Sequence, residues 1–192
     1  MEQALDELLA DVWARLVRGA ADKRAPFNRP AIATVSEAGG PEVRTVVLRT
    51  VTPSRRLLAF HTDMRSAKIA ALRHKADVAW HFWDPRAQIQ VRVSAKAAFH
   101  HADDISRAAW AKLHDGSKRT YAQRAIPGAA VSDPAVAADE TIPLDDAAAN
   151  FAAVMTTATS IDYLHLARKG HRRAIWHWRA QQQDWAGAWV GA

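Results

Sequence analysis

Four short stretches of this 192-residue chain carry side chains that could grip an anion or the edge of a flat ring. Arg44-Thr45-Val46-Val47-Leu48-Arg49 is an aliphatic run with a cation at each end. Its two arginines are an odd number of residues apart, so on one continuous strand they point to opposite faces. Phe60-His61-Thr62 is followed by Ser66-Ala67-Lys68, where an apolar run gives way to a helical one. A serine at a helix start sets a hydroxyl beside amides that have no intrahelical partner, at the positive end of the helix dipole. A lysine two residues on adds a full charge, and the combination suits a phosphate. Ile89-Gln90-Val91 places an amide, with both donor and acceptor, on the polar side of a strand beside Gln88 and Arg92. His171-Arg172-Arg173, just before Ile175, Trp176 and Trp178, joins cations to aromatics and could close over an anionic or aromatic ligand. Each stretch also has a plainer reading: solvated arginines on an edge strand, an ordinary N-cap, a polar strand face, a tryptophan-rich core strand. His165 and His177 are isolated, and no His/Asp/Glu spacing makes a metal site. There is no Gly-rich dinucleotide loop and no Walker loop.

The elements that must position these residues follow from periodicity. Residues 2–18 set Leu5, Leu8, Leu9, Val12, Trp13, Leu16 and Val17 at helical spacing, which predicts an amphipathic helix packed on a sheet. Residues 31–36 and 42–51 read as strands joined at Glu37–Gly40, and 57–62 as a third. Ser66 caps a helix over 67–74. Residues 77–83 alternate, and 88–97 do so most cleanly, with Gln88, Gln90, Arg92, Ser94 and Lys96 opposite Ile89, Val91, Val93, Ala95 and Ala97. A helix is expected over 103–114, with Ile105, Ala108, Ala109 and Leu113 on one side. Residues 126–146, rich in Ala, Pro and Asp, read as an irregular excursion. Strands are expected over 160–166, 172–178 and 185–190. Residues 145–157 are ambiguous: their alanines favour helix, while 151–157 could be a strand. Hairpins with few helices and no βαβ repeat predict an antiparallel β-barrel with flanking helices, in a single domain over 1–192.

Composition narrows the function. Hydrophobic residues make up 49% of the chain, which suits a globular protein, and no apolar run approaches the ~20 residues that span a bilayer. Glu2 and Asp6 break the start expected of a secretory signal, so the cytoplasm is the expected location. There is no cysteine, hence no disulfide or thiolate metal site. The net charge of +6 suggests an anionic partner, yet the basic residues are spread along the chain without a tail, which favours a small ligand over nucleic acid.

Taken in order, the stretches resemble the pyridoxamine 5'-phosphate oxidase-like FMN-binding split barrels, over about 30–100 and again over about 150–178. The family's pattern of Arg, aliphatics and a final cation is met by Arg44–Arg49, its Phe-Tyr-Thr by Phe60-His61-Thr62, and its Ser-Arg-Lys by Ser66-Ala67-Lys68. Its Arg-Gln-Val is met by Ile89-Gln90-Val91, and its late His-Asp-Arg by His171-Arg172-Arg173. Ala67 stands where the family has arginine, Leu164 where it has a late tryptophan, and Gly170 near its substrate arginine. The resemblance implies an FMN-binding split barrel, with a strand over 151–157, and a homodimer with FMN at the subunit interface. It implies that Arg44, Ser66 and Lys68 hold the phosphate, and that Val46, Val47 and Leu48 meet the ring through their backbone. His61, Thr62 and Gln90 would line the flavin, and Arg173 would reach it from a late strand. His171, Arg173 and Arg49 would lie on the substrate side, Arg49 replacing the family's lysine. The implied activity is two-electron oxidation or reduction of a small molecule at flavin N5, with pyridoxamine or pyridoxine 5'-phosphate the first substrate to test. The competing readings are a flavin reductase with another substrate, a non-catalytic module for FMN, haem or another anion, and a nucleic-acid-binding barrel.

Overall fold

The computed structural model describes residues 2–133, 141–168 and 170–192. The centre of the predicted 126–146 excursion, 134–140, lies outside the described residues. Among the described residues nine strands form one antiparallel sheet: β1 (Ala31–Val35), β2 (Pro41–Thr45), β3 (Thr50–Thr52), β4 (Leu57–Asp63), β5 (Asp77–Asp84), β6 (Ile89–His100), β7 (Phe151–His165), β8 (Arg172–Arg179) and β9 (Asp184–Val190). The α-helices of the described residues that flank it are α1 (Glu2–Ala21), α2 (Ala67–His74), α3 (Asp104–Ala111), α4 (Asp115–Lys118) and α5 (Leu144–Ala147). The order β2-β1-β5-β6-β7-β4-β3 leaves β2 and β3 at the two ends, so the sheet is open, as expected of a split barrel. The β8–β9 hairpin branches from β7.

The predicted strand over 42–51 is two strands. β2 pairs with β1 at one end of the sheet and β3 with β4 at the other. Between them Val46 and Leu48 donate to the carbonyls of Pro30 and Asn28, and Arg49 donates to that of Ala59. Val46–Arg49 therefore crosses the split, and the parity argument that set Arg44 and Arg49 on opposite faces of one strand does not apply. The segments over 151–157 and 160–166 are, conversely, one 15-residue strand. Thr159 is the residue left over where the β6 register shifts between Ser94 and Ala95, and its hydroxyl donates to the Ser94 carbonyl at 3.1 Å.

The main core fills the barrel with Val12 and Leu16 of α1, Ile32, Leu58, Phe60, Trp80, Phe82, Val91, Val93, Val154 and Ile161. α1 continues three residues past its predicted end. Gly19 lets it do so, because a Cβ there would meet Phe27 at 2.8 Å, and Asn28 donates to the Gly19 carbonyl at 2.8 Å. Val17, predicted on the apolar face, is 40% exposed. A smaller core lies outside the sheet, where Tyr121, Ala122, Ala147 and Phe151 pack with Trp110 and Leu113. The predicted face of α3 is rotated: Ile105 and Ala108 are exposed, while Ser106, Ala109 and Trp110 turn inward. The capping box between Asp103 and Ser106 fixes that start.

A candidate phosphate cradle and two flanking surfaces

β4 divides the predicted residues between two faces, since successive strand residues alternate. Thr62 turns inward at the barrel mouth and is buried, with its hydroxyl 3.3 Å from that of Ser66. Ser66 is the N-cap of α2 but forms no side-chain cap bond, so its hydroxyl stays with Thr62. Lys68 donates to the Thr62 hydroxyl at 2.8 Å. Burial lowers the Lys68 pKa first, the neighbouring Arg44 charge lowers it further, and Asp63 opposes both. Two cations that raise each other's energy at a helix start form a site that an anion would stabilise.

Arg44 lies on the inward side of β2. Its Nη1 donates to the hydroxyl of Thr34 at 2.6 Å and to the Glu42 carbonyl at 3.0 Å, and its Nη2 to Glu42 Oε2 at 2.5 Å. Thr34, buried at 2% exposure, is the cross-strand partner of Glu42, so these three side chains share one face of the β1–β2 pair. Neither Thr34 nor Glu42 is marked in the sequence as a site residue, because only the β1–β2 register brings them to Arg44. Among Val46–Leu48, the amide of Val47 alone has no backbone partner among the described residues.

His61 points the other way, onto the small outer core. Its ring meets Phe151 edge-on at 4.9 Å, and Phe151 in turn meets Tyr121 at 5.2 Å and Trp110 at 5.3 Å. Burial, and then the charge of Arg49, lower the His61 pKa to about 4, so the imidazole is neutral across the physiological range. His61 Nδ1 and Arg49 Nε are both buried without a hydrogen-bond partner. Burial raises the Tyr121 phenol to about 12, against the pull of Arg49.

Arg49 also lines a cavity of about 330 Å³ with Lys23, Asn28, Arg29, Val47 and Ser117. No acidic residue lines it, and none of its three cations has an ion-pair partner among the described residues. Lys23, Arg29 and Ser117 were not singled out in the sequence. The crowding of Lys23, Arg24 and Arg29 around Pro26 and Pro30 is the signal that could have found the first two.

The remaining predicted residues lie elsewhere. Gln90, Leu164 and Arg173 form one row across β6, β7 and β8 on the outer face of the sheet. Gln90 Oε1 is 3.1 Å from His81 Nε2. Arg173 donates to Asp162 through Nε at 3.1 Å and Nη2 at 2.9 Å, and Arg92 holds the same carboxylate from the other side. Burial acts to raise the Asp162 pKa, but hydrogen bonds from Arg173 and Arg92 outweigh it and hold the carboxyl below its ordinary value. His171 is exposed just before β8, and Arg172 stacks on Trp189 at 4.9 Å. The structure thus brings together Arg44, Thr62, Ser66 and Lys68, sets Arg49 and His61 beside them on the outer side, and places Gln90 and Arg173 apart. Thr62 pairs with Ala152 at one end of β7, and Gln90 with Leu164 at the other. Ala152 and Leu164 are twelve positions apart on β7, on the order of 40 Å along the chain. Among the described residues no cluster of His, Asp and Glu could hold a metal, and no helix is long and apolar enough to cross a membrane.

Comparison with known proteins agrees with this architecture. The family model described as pyridoxamine 5'-phosphate oxidase, FMN-binding domain, matches residues 10–101. A pyridoxamine 5'-phosphate oxidase-related, FMN binding protein from Nostoc punctiforme superposes with a TM-score of 0.79 at 21% identity, covering 95% of this chain and 96% of that one. PhzG from Burkholderia lata, in complex with tetrahydrophenazine-1-carboxylic acid, superposes with a TM-score of 0.70 at 15% identity, over 99% of this chain and 91% of that one. A protein related to general stress protein 26 from Clostridium acetobutylicum gives 0.51 at 14% identity, over 76% and 84%. At these identities the likeness is one of fold. No curated protein matches the chain.

Proposed function

We propose that this chain is a divergent member of the pyridoxamine 5'-phosphate oxidase-like FMN-binding split barrels and an FMN-dependent oxidoreductase acting on a small anionic molecule, a reading supported by the family-model match over 10–101 and the likeness of fold. The observation that carries the reading is the cradle at the start of α2. There Lys68 lies 2.8 Å from the Thr62 hydroxyl, beside the Ser66 hydroxyl and under the charge of Arg44. A phosphate monoester fits this set, because it offers acceptors to two hydroxyls, an ammonium and a guanidinium, and relieves the repulsion between the two cations. A single cradle without a dinucleotide loop favours FMN over FAD.

Bound FMN supplies two-electron redox chemistry at its ring, and the protein supplies position and electrostatics. Arg44, Ser66 and Lys68 hold the phosphate, and the unpaired amide of Val47 is available to the ring. Arg49, with Lys23, Arg29 and Ser117, attracts and orients an anionic substrate in the cavity beside that segment. His61 stays neutral there, so its unpaired Nδ1 can accept a hydrogen bond without adding charge. The solved neighbour PhzG holds a carboxylic acid, which accords with a substrate side built for anions.

The row of Gln90, Leu164 and Arg173 is out of reach of a ligand seated on Lys68 of the same chain. We take it as the half-site that a second copy presents, with FMN bound between two subunits. The test is to mix purified protein with FMN, remove the excess by gel filtration and identify the flavin released on denaturation. One FMN per chain, with a dimer by sedimentation, is expected. Release of FAD as the tight ligand, or of no flavin, would overturn the reading.

A further inference from the structure

Arg44 is already oriented before any anion reaches it. A guanidinium carries five N–H donors in a rigid planar fork. Three of the five are taken: both Nη1 hydrogens, by the Thr34 hydroxyl at 2.6 Å and the Glu42 carbonyl at 3.0 Å, and one Nη2 hydrogen, by Glu42 Oε2 at 2.5 Å. Nε–H and the second Nη2–H remain, with no partner among the described residues. Both remaining donors are available to phosphate oxygens. The carboxylate that grips Nη2 comes from the same strand two residues earlier, opposite a threonine that is buried and cannot move aside.

We infer that Glu42 is a positioning residue for the cofactor phosphate: it clamps Arg44, whose charge is felt at Lys68, and leaves Nε–H and one Nη2–H of the guanidinium for the phosphate. The inference rests on the FMN reading and adds the residue that sets its phosphate affinity. Arginine loses side-chain entropy when it is immobilised. Glu42 and Thr34 remove that freedom in the folded protein, so less is lost when the phosphate binds. Glu42 is 40% exposed at its side chain, so solvent screens its repulsion of the phosphate, while its contact with Arg44 is direct.

The test is fluorescence titration of the full-length apoprotein with FMN and, separately, with riboflavin, which has the ring but no phosphate. In Glu42→Ala the FMN dissociation constant is expected to rise about 5- to 20-fold, the scale of one charge-assisted contact partly lost. Glu42→Gln keeps an acceptor at the same place and should recover most of that loss. Riboflavin affinity should be unchanged in both. Adding Glu42→Ala to Arg44→Ala should cost nothing more. Equal weakening of FMN and riboflavin would show a general structural role and overturn the inference. Unchanged or tighter FMN binding in Glu42→Ala would overturn it too, by showing that the carboxylate is idle or competes with the phosphate. In either case the wild-type protein still binds FMN and the flavin reading survives. If the wild-type protein binds no flavin, both readings fall together.

Discussion

The two ends of β7 handle positive charge in opposite ways. Near Phe151, Lys68 has only a hydroxyl for a partner, Arg44 keeps two N–H donors without a partner among the described residues, and Lys23, Arg29 and Arg49 surround a cavity with no carboxylate in its walls. Near Leu164, Arg92 and Arg173 are both spent on Asp162. A salt bridge satisfied within the chain fixes a surface, whereas a cation without a counter-charge raises the energy of the folded state until a ligand supplies one. On the proposed reading, the first end would receive an anion and the second would face a second copy of the chain.

The largest expected effect needs both ends to work together. Gly170 stands near the place of the family's substrate arginine, and His171 is exposed rather than held over a pocket. A phosphorylated pyridine would be poorly oriented, and orientation and charge pairing each carry several kcal/mol of a barrier, roughly. Pyridoxamine 5'-phosphate mixed anaerobically with the FMN-loaded protein should reduce the flavin orders of magnitude more slowly than a competent oxidase would. Rapid, saturable bleaching would show that the substrate side is intact.

Next in size is the cradle itself. Replacing Lys68 or Arg44 with alanine should weaken FMN binding roughly 10- to 100-fold, the value of a charge-assisted hydrogen bond of about 1.5–3 kcal/mol. Lys96→Ala, opposite the middle of β7 and already paired with Asp77 at 2.6 Å, should leave the affinity unchanged, and equal losses in all three would erase the contrast between open and satisfied cations. A smaller effect is expected from Asp162→Asn, which strands two arginines. Because Arg92 is half open to water, the cost should be about 1–2 kcal/mol in a denaturant melt, with a weaker dimer by sedimentation. A melt indistinguishable from wild type would mean that the triad holds nothing together.

The smallest is a pH effect at His61. Its folded pKa lies well below the ordinary value of 6.5, so the unfolded chain takes up a proton that the folded one refuses as pH falls toward about 4. Stability is thus full above the ordinary value and declines below it. Between about pH 7.5 and about pH 6 the loss from this group should be roughly 1 kcal/mol. His61→Gln should lack that slope, and parallel pH profiles for the two proteins would assign the proton elsewhere.

What could be read in the sequence follows the physics of each segment. The alternation of Ile89–Lys96, the cap at Ser66 and the apolar stripe of α1 are local signals, and each element formed where local chemistry placed it. The break at Val46–Arg49 was hidden, because four apolar or β-branched residues between two arginines look like continuous strand. Only the need to bridge the split interrupts them. The face of α3 was misjudged because Ile105 is more apolar than Ser106, yet Ser106 is required inward by the capping box. At the site, cations were legible and their partners were not. Glu42, Thr34, Ser117 and Asp162 reach the arginines through strand register or across the fold.

The length of β7 has one further consequence. If two copies pair as proposed, the cradle end of one strand would serve one cofactor and the Leu164 end the other, so a single unbroken strand would be shared by both sites. A mixed pair built from one Lys68→Ala chain and one Arg173→Ala chain would then gather both defects in one site and leave the other whole. Half of the binding capacity should return in such hybrids, at normal affinity.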